Sequence, residues 1–162
     1  MAREGSSQPF CAPEPALAVT KTFRDKQIRL WETRVLEKRW GDTQGCLQAK
    51  RFIKASKQGT SEYLLSLSRT GLRILVGIVT GHTWVSSHLF NIGRTSSPIC
   101  QNCDDGVRET VYHYLCQCPR FAGTRFRVFG RAPLSQDCLG ELEFRDILGY
   151  CRLTGKLPGE IN

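Results

Sequence analysis

No run of this sequence is both long and apolar enough to cross a bilayer. The most apolar one, LRILVGIVTG (72–81), falls well short of the ~20 residues a spanning helix needs. A secretory signal is also missing: MAREGSSQPFCAPEPALAVTK has Pro, Ser and Gly where the apolar core of a signal should lie. These absences predict an intracellular chain, nuclear or cytoplasmic, with no membrane partner. No internal repeat and no low-complexity tract occurs. Acid is the scarcer charge, with 15 Asp and Glu against 23 Lys and Arg, a net of +8. That surplus favours an acidic partner such as RNA or DNA. It is uneven: residues 1–60 hold 12 basic and 6 acidic side chains, whereas residues 101–162 hold 8 of each.

At 162 residues, the chain suits one domain, or a small domain with tails. Its pattern is mainly α. Residues 1–20, with Pro9, Pro13 and Pro15, read as a flexible tail. Residues 21–95 read as a helical region. It opens with a helix on which Ile28, Trp31, Val35, Leu36 and Trp40 recur at helical spacing, closed near Gly41. Both tryptophans read as core residues. Residues 42–60 fit either a short helix or an irregular basic segment. Ser61 is a candidate cap for the next helix, and LRILVGIVTG reads as a buried helix, with a strand as the alternative. Residues 96–131 form a cysteine-rich finger and a basic helix. Residues 132–162 form a terminal helix, with Leu139, Leu142, Ile147, Leu148 and Leu153 on one stripe, and a tail.

What the chain does have is cysteine in one place. Residues 100–118, CQNCDDGVRETVYHYLCQC, contain four of the eight cysteines and one of the three histidines. In a reducing compartment such a cluster is more often a metal site than a disulfide framework. Zn²⁺ takes four soft or borderline ligands in a tetrahedron. Cys100 and Cys103 supply one half of such a set; His113 and Cys118 supply the other. Cys116 competes with Cys118, because in an α-helix His113 and Cys116 share a face. Pro119 marks the helix end and favours Cys118. Four protein ligands imply a closed, structural site. Asp104, Asp105 and Glu109 read as solvated.

These residues resemble a known pattern. TGH (80–82), CQNC (100–103) and ETVYHYLCQCPRF (109–121) with Arg125 are similar to the C-terminal region of non-LTR (LINE-type) retrotransposon polyproteins. PEPALAVTK (13–21) and FRDILGYCRLTGKL (144–157) extend the likeness more weakly. The resemblance implies a CCHC zinc segment ending on Cys118, a role with the element's RNA or DNA, and upstream polymerase domains as possible partners. The catalytic residues of a reverse transcriptase, an RNase H domain or an endonuclease are not found. The chain is therefore expected to be no enzyme and to take no small-molecule substrate.

The best candidate contact with nucleic acid is RFAGTRFRVFGR (120–131). There Arg120, Arg125, Arg127 and Arg131 alternate with Phe121, Phe126 and Phe129 without an acid. The second is Lys50, Arg51, Lys54 and Lys57. The rival expectation is a structural or protein-docking module, since residues 100–118 are themselves net acidic. His82 reads as a helix-end or core histidine, with a contact to ligand residues or nucleic acid as the alternative.

Overall fold

A computed structural model describes residues 19–54 and 59–156. The stretch read as a tail lies almost wholly outside the described residues, as does Lys57. The chain divides into two units between Asp42 and Thr43, inside the expected 21–95 region.

The described part of the first unit is one helix, α1 (Lys21–Asp42). Thr20 starts it, its Oγ1 accepting from the Phe23 amide at 3.2 Å. No α1 side chain is buried. Trp31 is 64 % exposed, against the expectation of a core tryptophan, and Ile28 and Leu36 are exposed too. The physical reason is that, among the described residues, no second element of its own unit covers its apolar stripe.

The second unit is built from α2 (Leu47–Phe52), α3 (Thr60–Ser66), α4 (Arg69–Thr80), α5 (Ser86–Asn91), α6 (Ala122–Phe129) and α7 (Phe144–Thr154). Between α5 and α6 lie a π-helical turn (His113–Gln117) and a 3₁₀ turn (Pro119–Phe121); a 3₁₀ helix (Gln136–Glu141) precedes α7. Among the described residues the only β pairing is an isolated antiparallel bridge, Ile99 with Arg108. The fold is mainly α, as expected.

LRILVGIVTG is a helix, and its β-branched residues do not make it a strand. The helix begins at Arg69, three residues before the expected Leu72. Ser68 caps it, its Oγ accepting from the Gly71 amide at 3.2 Å. It buries Ile74, Leu75, Ile78 and Val79, each contributing about 1.5–3 kcal/mol when fully buried. Gly81 ends α4 at φ 86°, in the left-handed region. The Gln48 amide donates to the Ile78 carbonyl at 2.7 Å and lies 3.0 Å from where a Gly81 Cβ would stand. α2 is thereby fastened to the end of α4. The helix after Gly59 takes that glycine, and not Ser61, as its cap residue.

α7 packs on both α4 and α6. Ile147, Leu148, Tyr150 and Cys151 form its buried face. Tyr150 ties this face to the cysteine-rich segment, donating to the Tyr114 carbonyl at 2.7 Å. The Tyr114 ring sits 5.6 Å from Phe121, edge-on, and 5.3 Å from Tyr150. The metal-candidate segment is thus packed into the helical core from one side.

Candidate metal centre

The first pair of ligands is set by a short ladder. The Cys100 amide donates to Val107 O at 2.9 Å and the Glu109 amide to Pro98 O at 2.9 Å. These bonds close the loop 101–106, which turns at Gly106 with φ 63°. Inside the loop the Asn102 amide donates to Cys100 Sγ at 3.4 Å. That bond bends the chain so that Cys103 returns toward Cys100.

The second pair is set by the π turn. Thr110 Oγ1 accepts from the His113 amide at 3.1 Å, starting a helical turn. Cys118 N then donates to His113 O at 2.7 Å, a bond across five residues. The wider turn brings positions five apart onto one side. An α-helix would have matched His113 with Cys116, three residues on. The π turn matches it with Cys118 instead and sends Cys116 into the core, fully buried. The change of pitch places Cys118, and not Cys116, in the cluster with His113.

The four ligand atoms of Cys100, Cys103, His113 and Cys118 all lie within 4.8 Å of one another. Cys100 Sγ is 4.0 Å from Cys118 Sγ, and Cys103 Sγ is 3.5 Å from His113 Nε2. A tetrahedron with metal–sulfur arms of about 2.3 Å and metal–nitrogen arms of about 2.0 Å has edges of about 3.5–3.8 Å. Two of the spacings, 3.5 and 4.0 Å, lie close to those edges, and the four donors could together hold a metal ion. Cys103 is half-buried and the other three are buried. Burial holds the His113 imidazole below its usual pKa, so it is neutral and able to ligate. Burial, together with the Glu109 carboxylate, pushes the Cys100 thiol up to about 12, and burial raises Cys118. A bound cation must displace these protons, as thiolate coordination requires.

Two charged side chains are buried beside the cluster. Glu109 is 1 % exposed, although the sequence reads it as solvated. Its Oε2 accepts from the Ser86 amide at 2.8 Å and the Ser86 hydroxyl at 2.7 Å. Its Oε1 lies 3.3 Å from Cys100 Sγ, accepts from Asn102 Nδ2 at 3.0 Å and pairs with Lys156 Nζ. Burial alone would raise this carboxyl. The Lys156 and Ser86 donors overcome that and hold it at about 2. Asp104 and Asp105 are exposed, as expected. Ser86, Asn102 and Lys156 carry no sequence signal that would have marked them. Glu109 heads the ETV string and is the last acid before Asp137.

Arg125 is the second buried charge, also 1 % exposed. Its Nε donates to Leu115 O at 2.8 Å and its Nη2 to Cys118 O at 2.7 Å. This corrects its placement in a surface arginine row: it braces the π turn from inside, because the carbonyls there lack helical partners. The row that remains is Arg120, Arg127 and Arg131, all exposed. Arg131 is paired with Glu141 at 2.8 Å. Of the phenylalanines, Phe121 is buried, Phe129 is half-buried and Phe126 is 63 % exposed.

The other basic group is partly engaged. Lys50 donates to Thr43 O at 2.7 Å and Lys54 to Asp137 O at 3.3 Å. Arg51 packs against the Gln136 amide. These side chains fasten α2 to its surroundings. His82 is exposed beyond α4, its ring edge-on to His88 at 5.1 Å, and neither belongs to the metal cluster. Among the described residues no helix is long and apolar enough to cross a membrane. No protein-family model, curated protein or solved structure matches the chain.

Proposed function

We propose that the chain is a zinc-structured, non-catalytic module that binds RNA or DNA inside the cell, of the kind its residues resemble in LINE-type retrotransposon polyproteins. The observation that carries the metal half is the convergence of three sulfurs and one imidazole nitrogen within 4.8 Å. Soft thiolates with imidazole in a four-donor set favour Zn²⁺ among common ions. Charge supports a divalent ion. Three thiolates and Glu109 bring four negative charges; the ion, Arg125 and Lys156 bring four positive ones. A balanced set is what burial at this depth demands.

The nucleic-acid half rests on what lies just past the last ligand. Arg120 and Arg127 are exposed, with the exposed Phe126 ring beside them in sequence, and no acid occurs between Glu109 and Asp137. Such a surface suits a phosphate backbone with an unstacked base. Filter binding to single-stranded RNA and to duplex DNA across a salt series tests this. With about three phosphates neutralised on a single strand, the log–log slope is roughly −2. Affinity no greater than that of an unrelated protein of equal charge overturns it.

One observation favours a structural or protein-docking role instead. Arg125, Arg131, Lys50 and Lys54 all donate to groups of the chain itself. On that reading the basic surplus holds the fold, and binding to nucleic acid is absent in the same assay.

A further inference from the structure

From the convergence of three distant stretches on one carboxylate we infer that Glu109 is a coupling residue, linking occupancy of the metal site to the seating of Lys156 and of the start of α5. The inference rests on the metal half of the function proposed above.

Glu109 lies between two ligands in the chain, Cys103 and His113, so a bound ion fixes its backbone from both sides. The loop between Cys103 and Glu109 is exposed over residues 104–108, and it is held at its far end, where the Cys100 amide donates to Val107 O and Arg108 donates to Ser87 Oγ at 2.8 Å and to Asn91 Oδ1 at 3.0 Å. The side chain then reaches outward from the site in three directions. Asn102 and Cys100 are met at 3.0 and 3.3 Å. Ser86, the first residue of α5, gives both its amide and its hydroxyl. Lys156, two residues beyond the end of α7, gives its ammonium, with its side chain only 13 % exposed. The Lys156 ammonium also lies 6.0 Å from the Tyr114 ring centre, within reach of a cation–π contact.

A carboxylate buried this deeply is tolerated only while those donors stay in place. Metal binding, which orders Cys100 and the loop around Glu109, therefore strengthens the hold on Lys156 and Ser86. By thermodynamic reciprocity the hold on Lys156 and Ser86 strengthens metal binding by the same factor. Carboxylates that meet a ligand from outside the coordination sphere typically change metal affinity about 10–100-fold when removed.

The test is a zinc competition titration against a chromophoric chelator on the full chain, under reducing conditions. Lys156 is 53 residues from Cys103 in sequence, so a sequence-local account of the site gives it no role. Lys156→Met is expected to weaken zinc binding about 10-fold, and Glu109→Gln by at least as much. The double variant is expected to be little worse than Glu109→Gln alone, because both changes cut one link. Lys156→Arg, which keeps the charge, is expected to stay within a few-fold of the parent, and Lys38→Gln, on α1, is expected to change nothing. Hydrogen exchange read on peptides covering 83–91 and 147–156 is expected to slow when zinc is added. Zinc affinity of Lys156→Met equal to the parent, or exchange in both peptides indifferent to zinc, overturns the coupling while leaving the metal site standing. A parent chain that takes up no zinc overturns both.

Discussion

Arg125 Nη2 donates to the carbonyl oxygen of Cys118 at 2.7 Å, from a side chain that is almost wholly buried. A residue that the sequence places in a row facing phosphate instead closes the turn that carries Cys118 of the candidate metal cluster. It serves Leu115 O as well. A planar guanidinium holds its donors in a fixed fork that meets two carbonyls at once, whereas a lysine ammonium is a single point on a flexible stem.

Replacing it is therefore expected to act on stability first. Arg125→Met leaves two buried carbonyls without a partner, at about 1–3 kcal/mol each. Chemical denaturation of the zinc-loaded protein should show a loss of about 2–6 kcal/mol, with Arg125→Lys recovering only part of it. Unchanged stability together with weakened RNA binding would return Arg125 to the surface.

The π turn makes a separate prediction about two neighbouring cysteines. Cys118→Ser is expected to abolish stoichiometric zinc binding. Cys116→Ser is expected to keep one zinc per chain while costing about 1–3 kcal/mol, since it puts a hydroxyl in a fully buried apolar site. Metal analysis of the two purified variants checks the order. The reverse order would mean that the turn is α-helical and the ligand is Cys116.

This part of the site was only half legible in the sequence. Spacing gives Cys100, Cys103 and His113 and leaves Cys116 and Cys118 as rivals for the fourth place, which Pro119 and the family resemblance tip to Cys118. No local signal announces a π turn, because residues 113–117 (HYLCQ) do not differ in type from an ordinary helix. The mainly α architecture and the helix at LRILVGIVTG follow from apolar periodicity, and the buried face of α4 confirms them. Trp31 was misread for the same reason. Periodicity reports an apolar stripe but not whether a partner element covers it. Glu109 and Arg125 were misread because charge is assigned to the surface by default. Their burial depends on donors and acceptors brought from 20 to 50 positions away or from a turn of unforeseen pitch.

The exposed remainder of the arginine row carries the contact proposed for nucleic acid. Arg120→Gln with Arg127→Gln is expected to weaken binding to single-stranded RNA and to flatten the log–log salt slope by roughly 1.4. Zinc content and thermal midpoint should not change, because neither side chain makes a contact in the metal centre. An unaltered slope would move the contact elsewhere or favour the structural role.

Gly81 offers a check on the packing of α2 against α4. Gly81→Ala meets both a left-handed backbone and the Gln48 amide 3.0 Å from the new Cβ. A loss of about 1–2 kcal/mol in chemical denaturation is expected, and Gln48→Ala should remove the steric part of it. A neutral Gly81→Ala would mean that the cap is not left-handed.

The most direct measurement is the metal content of the full chain, purified under reducing conditions, by elemental analysis. The account predicts one zinc per chain, lost when Cys100, Cys103, His113 or Cys118 is replaced. A chain that retains no zinc after purification and takes up none on titration would contradict it.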